Sequence, residues 1–371
     1  MGGRPDVQAG VCHDFGESTV EEVPEPEPAP GEALLEIERV QLSVTECNLY
    51  YGNEIAHYEA VRDRIEAGDG RLFGHEFCAT VRETGDSVDG FDPGERVYAP
   101  GKIPCHDCRQ CRTGFELQCP DKTYIGYDVP GALAEYAALP AEALCTVPDG
   151  VSDAEAAAMQ PLASAQLTVE EAPIDTGDVV AVVGTGVMGF QCAQLALLEG
   201  AGRVFVVDVD AEKLAIAERH GLVPIDATET DPADRISTAT DGIGADVVFE
   251  AVGGDQADAT GGSEPLAQAF SLAGNGGSVV QVGYIIGDVT VHPRTLRSKS
   301  VDWLTPTTGV EAYTPNATTG EHVAALVADG RVSIEEYVTH ELAGLDRFEK
   351  AVEMTMHKAE YDARGPTQLV L

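Results

Sequence analysis

The chain has 371 residues and a strongly acidic composition, with 63 Asp and Glu residues against 23 Lys and Arg residues. The formal net charge of −40 argues against nucleic acid and anionic lipid surfaces as partners. No apolar run approaches the roughly 18 to 20 residues of a membrane span, and the first residues lack the pattern of an export signal. We therefore expect a cytoplasmic protein with two domains or one large one.

The acidic residues are spread over the whole chain, and lysine is scarce, with six residues. This composition resembles that of cytosolic proteins from extreme halophiles, because molar salt shortens the Debye length to roughly 3 Å and suppresses carboxylate repulsion. An acidic protein from a low-salt organism is the alternative interpretation. The halophile interpretation predicts that folding and activity require high salt.

The first 150 residues predict mostly short strands. Residues 33–44 alternate in polarity as a half-buried strand does. Residues 53–73 have apolar side chains at helical spacing and contain a Gly-Asp-Gly turn, which predicts an amphipathic helix followed by a turn. Residues 74–150 are rich in Val, Gly, Pro and Asp, which favours an irregular β domain.

The pattern changes near residue 152, where a helix over residues 152–171 is predicted with Ser152 as its N-cap. Apolar strands then alternate with helical stretches, which indicates a parallel sheet covered on both faces. The predicted strands are Val179–Val183, Arg203–Asp208, Asp246–Ala251, Ser278–Val282 and Asp302–Thr305. Two helices, at 319–329 and 345–359, and a last strand at the C-terminus that returns to the first domain complete the prediction.

A glycine-rich loop follows the first of these strands and opens a helical stretch. The next strand ends at an acidic residue, which is the full context of a dinucleotide-binding site. The carboxylate of Asp208 would accept hydrogen bonds from the ribose and repel a 2′-phosphate, so NAD is favoured over NADP. The residues that we expect to bind the dinucleotide are Gly184, Gly186, Val187, Met188, Gly189 and Asp208.

Four cysteines lie close together at Cys105, Cys108, Cys111 and Cys119. In a protein without an export signal, four thiolates at this spacing can form a tetrahedral zinc site on one loop. Because four thiolates leave no open coordination position, such a zinc would be structural. An iron–sulfur cluster is the competing interpretation of the same spacing.

These two motifs, in this order, resemble the zinc-dependent medium-chain alcohol and polyol dehydrogenases. The sequence Gly74-His75-Glu76 resembles the GHE element of that family, and residues 85–97 resemble its G-x-x-V…F…G-D-R-V element. The resemblance implies an α/β plus β protein in which a Rossmann domain with a doubly wound parallel sheet is inserted into a GroES-like irregular β catalytic domain. It assigns residues 1–161 and 310–371 to the catalytic domain and residues 162–309 to the NAD-binding domain. It favours zinc over a cluster at the four cysteines and implies a homodimer or homotetramer.

The resemblance also implies a catalytic zinc site, and here the chain departs from the family. Where the family usually has a cysteine ligand, the aligned residue is Ser43, and Cys47 lies four residues later. The implied zinc ligands are His75, Glu76 and Gln160, with Ser43, Cys47 or a water molecule completing the set. A site that has lost its metal, with His75 as a buried polar residue, is the alternative interpretation. Thr45 would hydrogen-bond the substrate alkoxide, and Glu46 would bond to the metal-bound histidine. The residues with catalytic roles would be Thr45, Ser43, His75 and Glu76.

The resulting hypothesis is a zinc-dependent oxidoreductase that transfers hydride between NAD and a polyol, a sugar or a secondary alcohol. A metal-independent medium-chain reductase of the quinone or enoyl type is the alternative enzyme. A nucleotide-binding protein without turnover is the alternative from another class, and only the unusual Ser43 supports it.

Overall fold

The computed structural model describes residues 4–255, 264–306 and 318–371, and the chain divides into two compact units. The first unit comprises Met1–Ser164 and Gly309–Leu371, and the second comprises Ala165–Thr308. Within the described ranges, no helix is both long enough and apolar enough to cross a membrane.

The N-terminal part of the first unit consists mainly of strands. The strands are β1 Asp6–Asp14, β2 Glu17–Pro24, β3 Glu32–Gln41, β4 Glu76–Thr84, β5 Arg96–Tyr98, β6 Tyr136–Pro140 and β7 Cys145–Thr146. The helices are α1 Val44–Tyr50, α2 Tyr58–Glu66, α3 Arg109–Arg112 and α4 Asp153–Ala157. Helix α5 Gln160–Glu170 begins in this unit and ends in the second. Short 3-10 turns lie at Glu116–Gln118 and Ala141–Ala143.

Three predictions in this part can be compared with the structure. The strand predicted at residues 33–44 is β3, which ends before Ser43 because that residue caps α1. The helix predicted over residues 53–73 is confirmed only for its middle part, as α2. The helix predicted over residues 152–171 is two helices, α4 and α5, with Ser152 capping the first as expected. Pro161 lacks an N–H to donate to the preceding turn, which explains why a new helix starts there.

The second unit is a parallel sheet with helices between its strands. Its strands are β8 Val179–Val183, β9 Arg203–Asp208, β10 Val223–Asp226, β11 Ala245–Glu250, β12 Gly254–Asp255, β13 Ala273–Gln281, β14 Ile285–Ile286 and β15 Asp302–Leu304. Its helices are α6 Val187–Leu198, α7 Ala211–Arg219, α8 Pro232–Ala239, α9 Pro265–Leu272 and α10 Pro293–Lys299.

The main sheet of this unit has the order β10-β9-β8-β11-β13-β15, and every adjacent pair is parallel. Counted along the chain within this sheet, that order is third, second, first, fourth, fifth, sixth. This is the doubly wound Rossmann arrangement, in which ligands bind where the strand order reverses. The predicted Rossmann fold is therefore confirmed, and the reversal lies between β8 and β11.

The chain then returns to the first unit through α11 Thr319–Ala328, β16 Glu341–Ala343, α12 Phe348–Met356 and β17 Gln368–Val370. Strand β17 pairs antiparallel with β3, as predicted for the last strand. The sheet of this unit has the order β16-β17-β3-β4-β5-β7, with β6 also paired to β3. Its core contains buried Leu35, Val40, Phe77 and Leu369. This core supports α1, which follows β3, and the segment that leads into β4.

Candidate functional site

His75 lies directly before β4 and directly after Gly74, a position that requires glycine. Gly74 has φ +82°, and a Cβ added to it would lie 2.6 Å from the backbone nitrogen of Leu133. That close approach fixes the backbone that carries His75, so the ring is held at a defined position beside the sheet. The ring is partly buried, with 19% of its side chain exposed.

The carboxylate of Glu46 connects α1 to this histidine. Its Oε1 atom accepts hydrogen bonds from the Gly74 N–H at 2.6 Å and the His75 N–H at 3.1 Å. The same oxygen lies 2.7 Å from Nδ1 of the His75 ring. A carboxylate at Nδ1 orients the imidazole and leaves Nε2 available to a metal ion. The contact between Glu46 and His75 that the family resemblance implied is therefore present.

Glu76 is buried next to the open nitrogen of His75. Its Oε1 atom lies 3.7 Å from His75 Nε2, and its Oε2 atom accepts a 2.6 Å hydrogen bond from the Gln41 amide. Burial raises the pKa of Glu76 to about 7. A carboxylate that is 4% exposed gains stability from a cation, so the pair His75 and Glu76 fits a metal ion on chemical grounds.

Ser43 has a structural function that the sequence comparison overlooked. Its hydroxyl oxygen accepts the Glu46 N–H at 3.0 Å, and Oε2 of Glu46 accepts the Ser43 N–H at 3.3 Å. This is a capping box at the start of α1, and its sequence signature is a serine followed three residues later by a glutamate. One carboxylate therefore caps α1 with one oxygen and holds His75 with the other.

Cys47 lies on α1 and is fully buried in the core of the first unit. Its thiol contacts the side chain of Thr355, and burial raises its pKa well above the usual range of a thiol. Ser43, in contrast, hydrogen-bonds the Tyr127 side chain, whose hydroxyl lies 3.3 Å from His75 Nδ1. Ser43 is therefore connected to His75 through the Tyr127 hydroxyl, whereas the Cys47 side chain is packed in the core.

The remaining candidate residues lie on α1 and α5. Gln160 begins α5 and donates its amide N–H to the Ser164 hydroxyl at 3.2 Å, so the amide oxygen stays available as a ligand. Thr45 is partly exposed in the first turn of α1. Asn48 donates to the Val44 carbonyl oxygen at 2.8 Å and accepts from Asn53 at 2.8 Å. Asn48, where the family often has a relay histidine, is thus engaged in local structure.

Sequence reasoning missed the aromatic wall beside His75. The ring centroids of Tyr127 and His75 are 5.4 Å apart, and His57 stacks on Tyr127 at 4.8 Å. Tyr124 contacts the His57 ring, and the centroids of these two rings are 4.1 Å apart. His57 belongs to the long segment before Gly74 that we predicted as a helix, but no motif connects it to two tyrosines about 70 residues away.

The four cysteines of the predicted structural site converge on one point. Their sulfur atoms all lie within 4.8 Å of one another, and the Sγ atom of Cys108 is 3.4 Å from that of Cys111 and 3.9 Å from that of Cys119. A zinc ion with Zn–S bonds of about 2.3 Å would hold its sulfurs about 3.8 Å apart, so the space fits one such ion. Backbone hydrogen bonds, the first from Asp107, lower the pKa of Cys105 to about 7, which favours the thiolate. His106 is exposed and bonds to Glu142, outside the sulfur cluster.

The glycine-rich loop leads from β8 into α6 as predicted. A Cβ added to Gly189 would lie 1.9 Å from the carbonyl oxygen of Gly184, so this position requires glycine. Gly186 is the N-cap residue of α6, and a Cβ added there would meet no protein atom within 4 Å. The open space at the first amides of the helix fits a bound pyrophosphate.

Asp208 ends β9 next to this loop. Its Oδ2 atom accepts hydrogen bonds from the Thr185 N–H at 2.7 Å and the Thr185 hydroxyl at 2.6 Å. Its Oδ1 atom accepts from the N–H groups of Val209 and Asp210 at 2.8 and 3.1 Å. The predicted ribose acceptor is thus held by four donors. Asp210 caps α7 through the N–H groups of Glu212 and Lys213.

Comparison with known proteins matches both units. The family model described as the alcohol dehydrogenase GroES-like domain matches residues 29–149, and the model described as zinc-binding dehydrogenase matches residues 184–318. An L-threonine 3-dehydrogenase of Bacillus velezensis is 29% identical over 358 residues, which cover 95% of this chain and 96% of the relative. An erythritol/L-threitol dehydrogenase of Mycolicibacterium smegmatis is 29% identical over 360 residues and covers 94% of each chain.

Solved structures agree with this result over the full length. The alcohol dehydrogenase TADH from Thermus sp. ATN1 has a TM-score of 0.79 at 25% identity and covers 98% of this chain and 99% of its own. A zinc-binding dehydrogenase of provisional assignment from Sinorhizobium meliloti 1021, bound to NADP, has a TM-score of 0.83 at 26% identity and covers 99% and 100%. Together the two family models match more than half of the chain, and both units have the predicted folds. The chain therefore belongs to the zinc-dependent medium-chain dehydrogenase family.

Proposed function

We propose that this enzyme uses NAD to oxidise a polyol or another secondary alcohol, with the reacting carbinol at His75. The observation that carries the proposal is the pair of partly buried His75 and buried Glu76, with Glu46 fixed on the far nitrogen of the histidine ring. The relatives named for threonine, erythritol and threitol oxidation support a substrate with a secondary hydroxyl group. We assign the reaction site to residues 1–161 and 310–371 and the cofactor site to residues 162–309.

The chain's own residues suit a catalytic zinc held by His75 Nε2, the Glu76 carboxylate and the Gln160 amide oxygen. A zinc ion bound there would polarise the substrate oxygen and lower the pKa of the alcohol. Glu46 keeps the His75 ring in one orientation, and Thr45 is the hydroxyl proposed to hydrogen-bond the substrate oxygen. The proton does not leave through Asn48, because an amide cannot titrate and this one is bonded to Val44 and Asn53.

For the cofactor we propose NAD rather than NADP, because the Asp208 carboxylate ends β9 where the adenosine ribose is recognised in this fold. No Arg or Lys stands at residues 209–211 to accept a 2′-phosphate. Asp208→Ser should lower kcat/KM for NAD about tenfold and change that for NADP much less, because one charged acceptor is lost. A wild-type enzyme that prefers NADP at molar salt would contradict this choice.

For the four cysteines we propose a structural zinc. The supporting observation is that the four sulfur atoms surround a single point, whereas an iron–sulfur cluster would require them to surround several metal ions. The set of ligands is then complete within one loop, and no coordination position is left for substrate.

The proposed function is tested by measuring turnover of a panel of polyols and secondary alcohols in molar KCl. Turnover is monitored by the absorbance of the reduced cofactor. Zinc per chain is measured on the same sample. We expect reduction of NAD and two zinc ions per chain. One zinc ion per chain with full activity would refute the catalytic zinc, and binding of NAD without turnover of any alcohol would refute the dehydrogenase assignment.

We also propose that the protein is adapted to high salt. Among the described residues, the acidic side chains that are buried are Glu46, Glu76 and Glu250, so nearly all of the excess charge lies in contact with solvent. Raising KCl from 0.1 M to molar concentration should raise the thermal midpoint, because screening reduces repulsion between carboxylates (0.1 M corresponds to a Debye length of about 10 Å). A midpoint that does not change with KCl would contradict the adaptation without affecting the dehydrogenase assignment.

A further inference from the structure

The region next to the aromatic wall carries positive charge, which is rare in this chain. Lysine occurs six times in 371 residues, and two of the six, Lys102 and Lys122, are brought together there. The adjoining residues Ile103 and Thr123 form an antiparallel bridge, which sets the two lysines on neighbouring segments. Burial and, after it, the charge of Lys122 lower the pKa of Lys102 to about 8, so the two ammonium groups act on each other.

Lys102 is connected to His75 through the aromatic wall. Its Nζ atom lies 4.6 Å from the ring centroid of Tyr124, in a cation–π contact. Tyr124 packs on His57, His57 stacks on Tyr127, and the Tyr127 hydroxyl reaches His75. Lys122 donates to the Leu117 carbonyl oxygen at 3.2 Å, on the side of the cysteine loop. Lys102, whose Nζ atom contacts the Tyr124 ring, is the cation on the side of the wall that continues toward His75.

The histidine in the wall does not supply this charge. Burial, followed by the charge of Lys102, lowers the pKa of His57 to about 4, so this ring is neutral near pH 7. A chain with a net charge of −40 repels anions at long range, and only a local cation can reverse that repulsion at the site. At molar salt the long-range part is screened, while a partly buried cation keeps most of its short-range effect.

We propose that Lys102 recognises an anionic group of the substrate, a carboxylate or a phosphate, several bonds away from the carbinol that reacts at His75. This inference rests on the proposed dehydrogenase function and narrows its substrate to an acidic alcohol. Tyr124 and His57, which are partly exposed, would contact the carbon chain between the two ends, since aromatic faces pack well against C–H groups. Lys102 then determines specificity and takes no part in hydride transfer.

The test compares three substrates that share a carbon chain: a four-carbon polyol, the matching aldonic acid and the matching monophosphate. The wild-type enzyme should have a higher kcat/KM for at least one acidic compound than for the polyol. Lys102→Met keeps the length and packing of the side chain and should lower kcat/KM for that compound about 10- to 100-fold, because a charged hydrogen bond is lost. The same variant should leave kcat/KM for the polyol within about twofold, and Lys102→Arg should restore most of the loss.

Lys350→Met is the matched control, since it removes the same charge from a residue that bonds Glu353 and Tyr361. It should change none of the three values. A wild-type preference for the polyol, or an equal loss on all three substrates in Lys102→Met, would overturn the proposal. If no compound is oxidised, the dehydrogenase assignment itself fails, and thermal shift with the acidic compounds still decides the Lys102 proposal. A shift equal in wild type and Lys102→Met would reject it.

Discussion

The four-cysteine loop and the His75 site are both candidate zinc sites, but the chain builds them in opposite ways. In the loop, all four donors lie within 15 residues, from Cys105 to Cys119, and their sulfurs converge without help from other elements. In the His75 site, the proposed donors are His75 and Glu76 where β4 begins and Gln160 on α5, and the orienting carboxylate comes from α1. The first site depends on local spacing, and the second depends on the packing of three separate segments.

This difference predicts that the loop is the more sensitive of the two sites to the loss of a single donor. A tetrahedral set of four thiolates loses its geometry when any one of them is removed. In the His75 site, Ser43 stands where the family resemblance implies a cysteine, and its hydroxyl takes part in a capping box with Glu46. The Glu46 carboxylate completes the capping box of α1 and holds His75 at the same time.

Removing a sulfur from the loop should have the largest effect. Cys111→Ser should release zinc and lower the free energy of unfolding by several kcal/mol, because structural zinc contributes directly to folding. Zinc per chain and the thermal midpoint in molar KCl measure the two effects. Cys192→Ser, a buried cysteine on α6 outside the cluster, is the control and should keep its zinc. Unchanged zinc content in Cys111→Ser would show that the loop does not bind the ion.

Removing the histidine should separate the two sites. His75→Ala should remove one zinc ion per chain and lower kcat/KM by at least about 100-fold, because the stabilisation of the substrate oxygen is worth several kcal/mol. The thermal midpoint should change far less than in Cys111→Ser, since the loop keeps its ion. His106→Ala changes a histidine within the cysteine loop and should alter neither zinc content nor activity. If His75→Ala retains full zinc and activity, the catalytic metal is not at this residue.

The sequence predicts most of the fold, the cysteine loop and the glycine-rich loop. Each of these features is formed by residues that are close together along the chain. The strands of the second unit are apolar runs, and Gly184 to Gly189 form one continuous segment made of the loop after β8 and the start of α6. The aromatic wall could not be predicted in this way. His57 and Tyr127 stack because of how two loops pack, and no periodicity or motif joins them.

The function of Ser43 lies between these two cases. The sequence contains the pattern of a capping box at this position, but the resemblance to the family's zinc-ligand position suggested a different function. A serine followed three residues later by glutamate is the pattern of a capping box, and it explains the departures at Ser43 and Glu46 together. Considered separately, the serine resembles a lost ligand and the glutamate resembles a longer aspartate. The structure shows that the two residues form one capping box through reciprocal hydrogen bonds.

Weakening the hold on the histidine should have an intermediate effect. Glu46→Gln keeps the size of the side chain but removes the charge at His75 Nδ1, so zinc affinity at this site should fall about 10- to 100-fold. The measurement is competition with a zinc chelator, followed by the loss of activity as the second ion is removed. Glu142→Gln removes a carboxylate from the surface and should leave the chelator curve unchanged. Equal zinc affinity in Glu46→Gln and wild type would mean that Glu46 serves only the helix cap.

The smallest effect on stability and activity is expected from a substitution at Ser43. This substitution distinguishes a zinc-ligand function of the serine from a helix-capping function. Ser43→Ala removes the hydroxyl that accepts the Glu46 N–H, which should cost about 1 kcal/mol of stability, as for other lost N-caps. Zinc content should stay at two per chain, because His75, Glu76 and Gln160 keep their donor atoms. A loss of the second zinc in Ser43→Ala, with the loop ion retained, would instead make the serine a ligand. Cys47→Ala provides the parallel comparison: its thiol packs against Thr355, so this variant should lose core packing and keep its zinc.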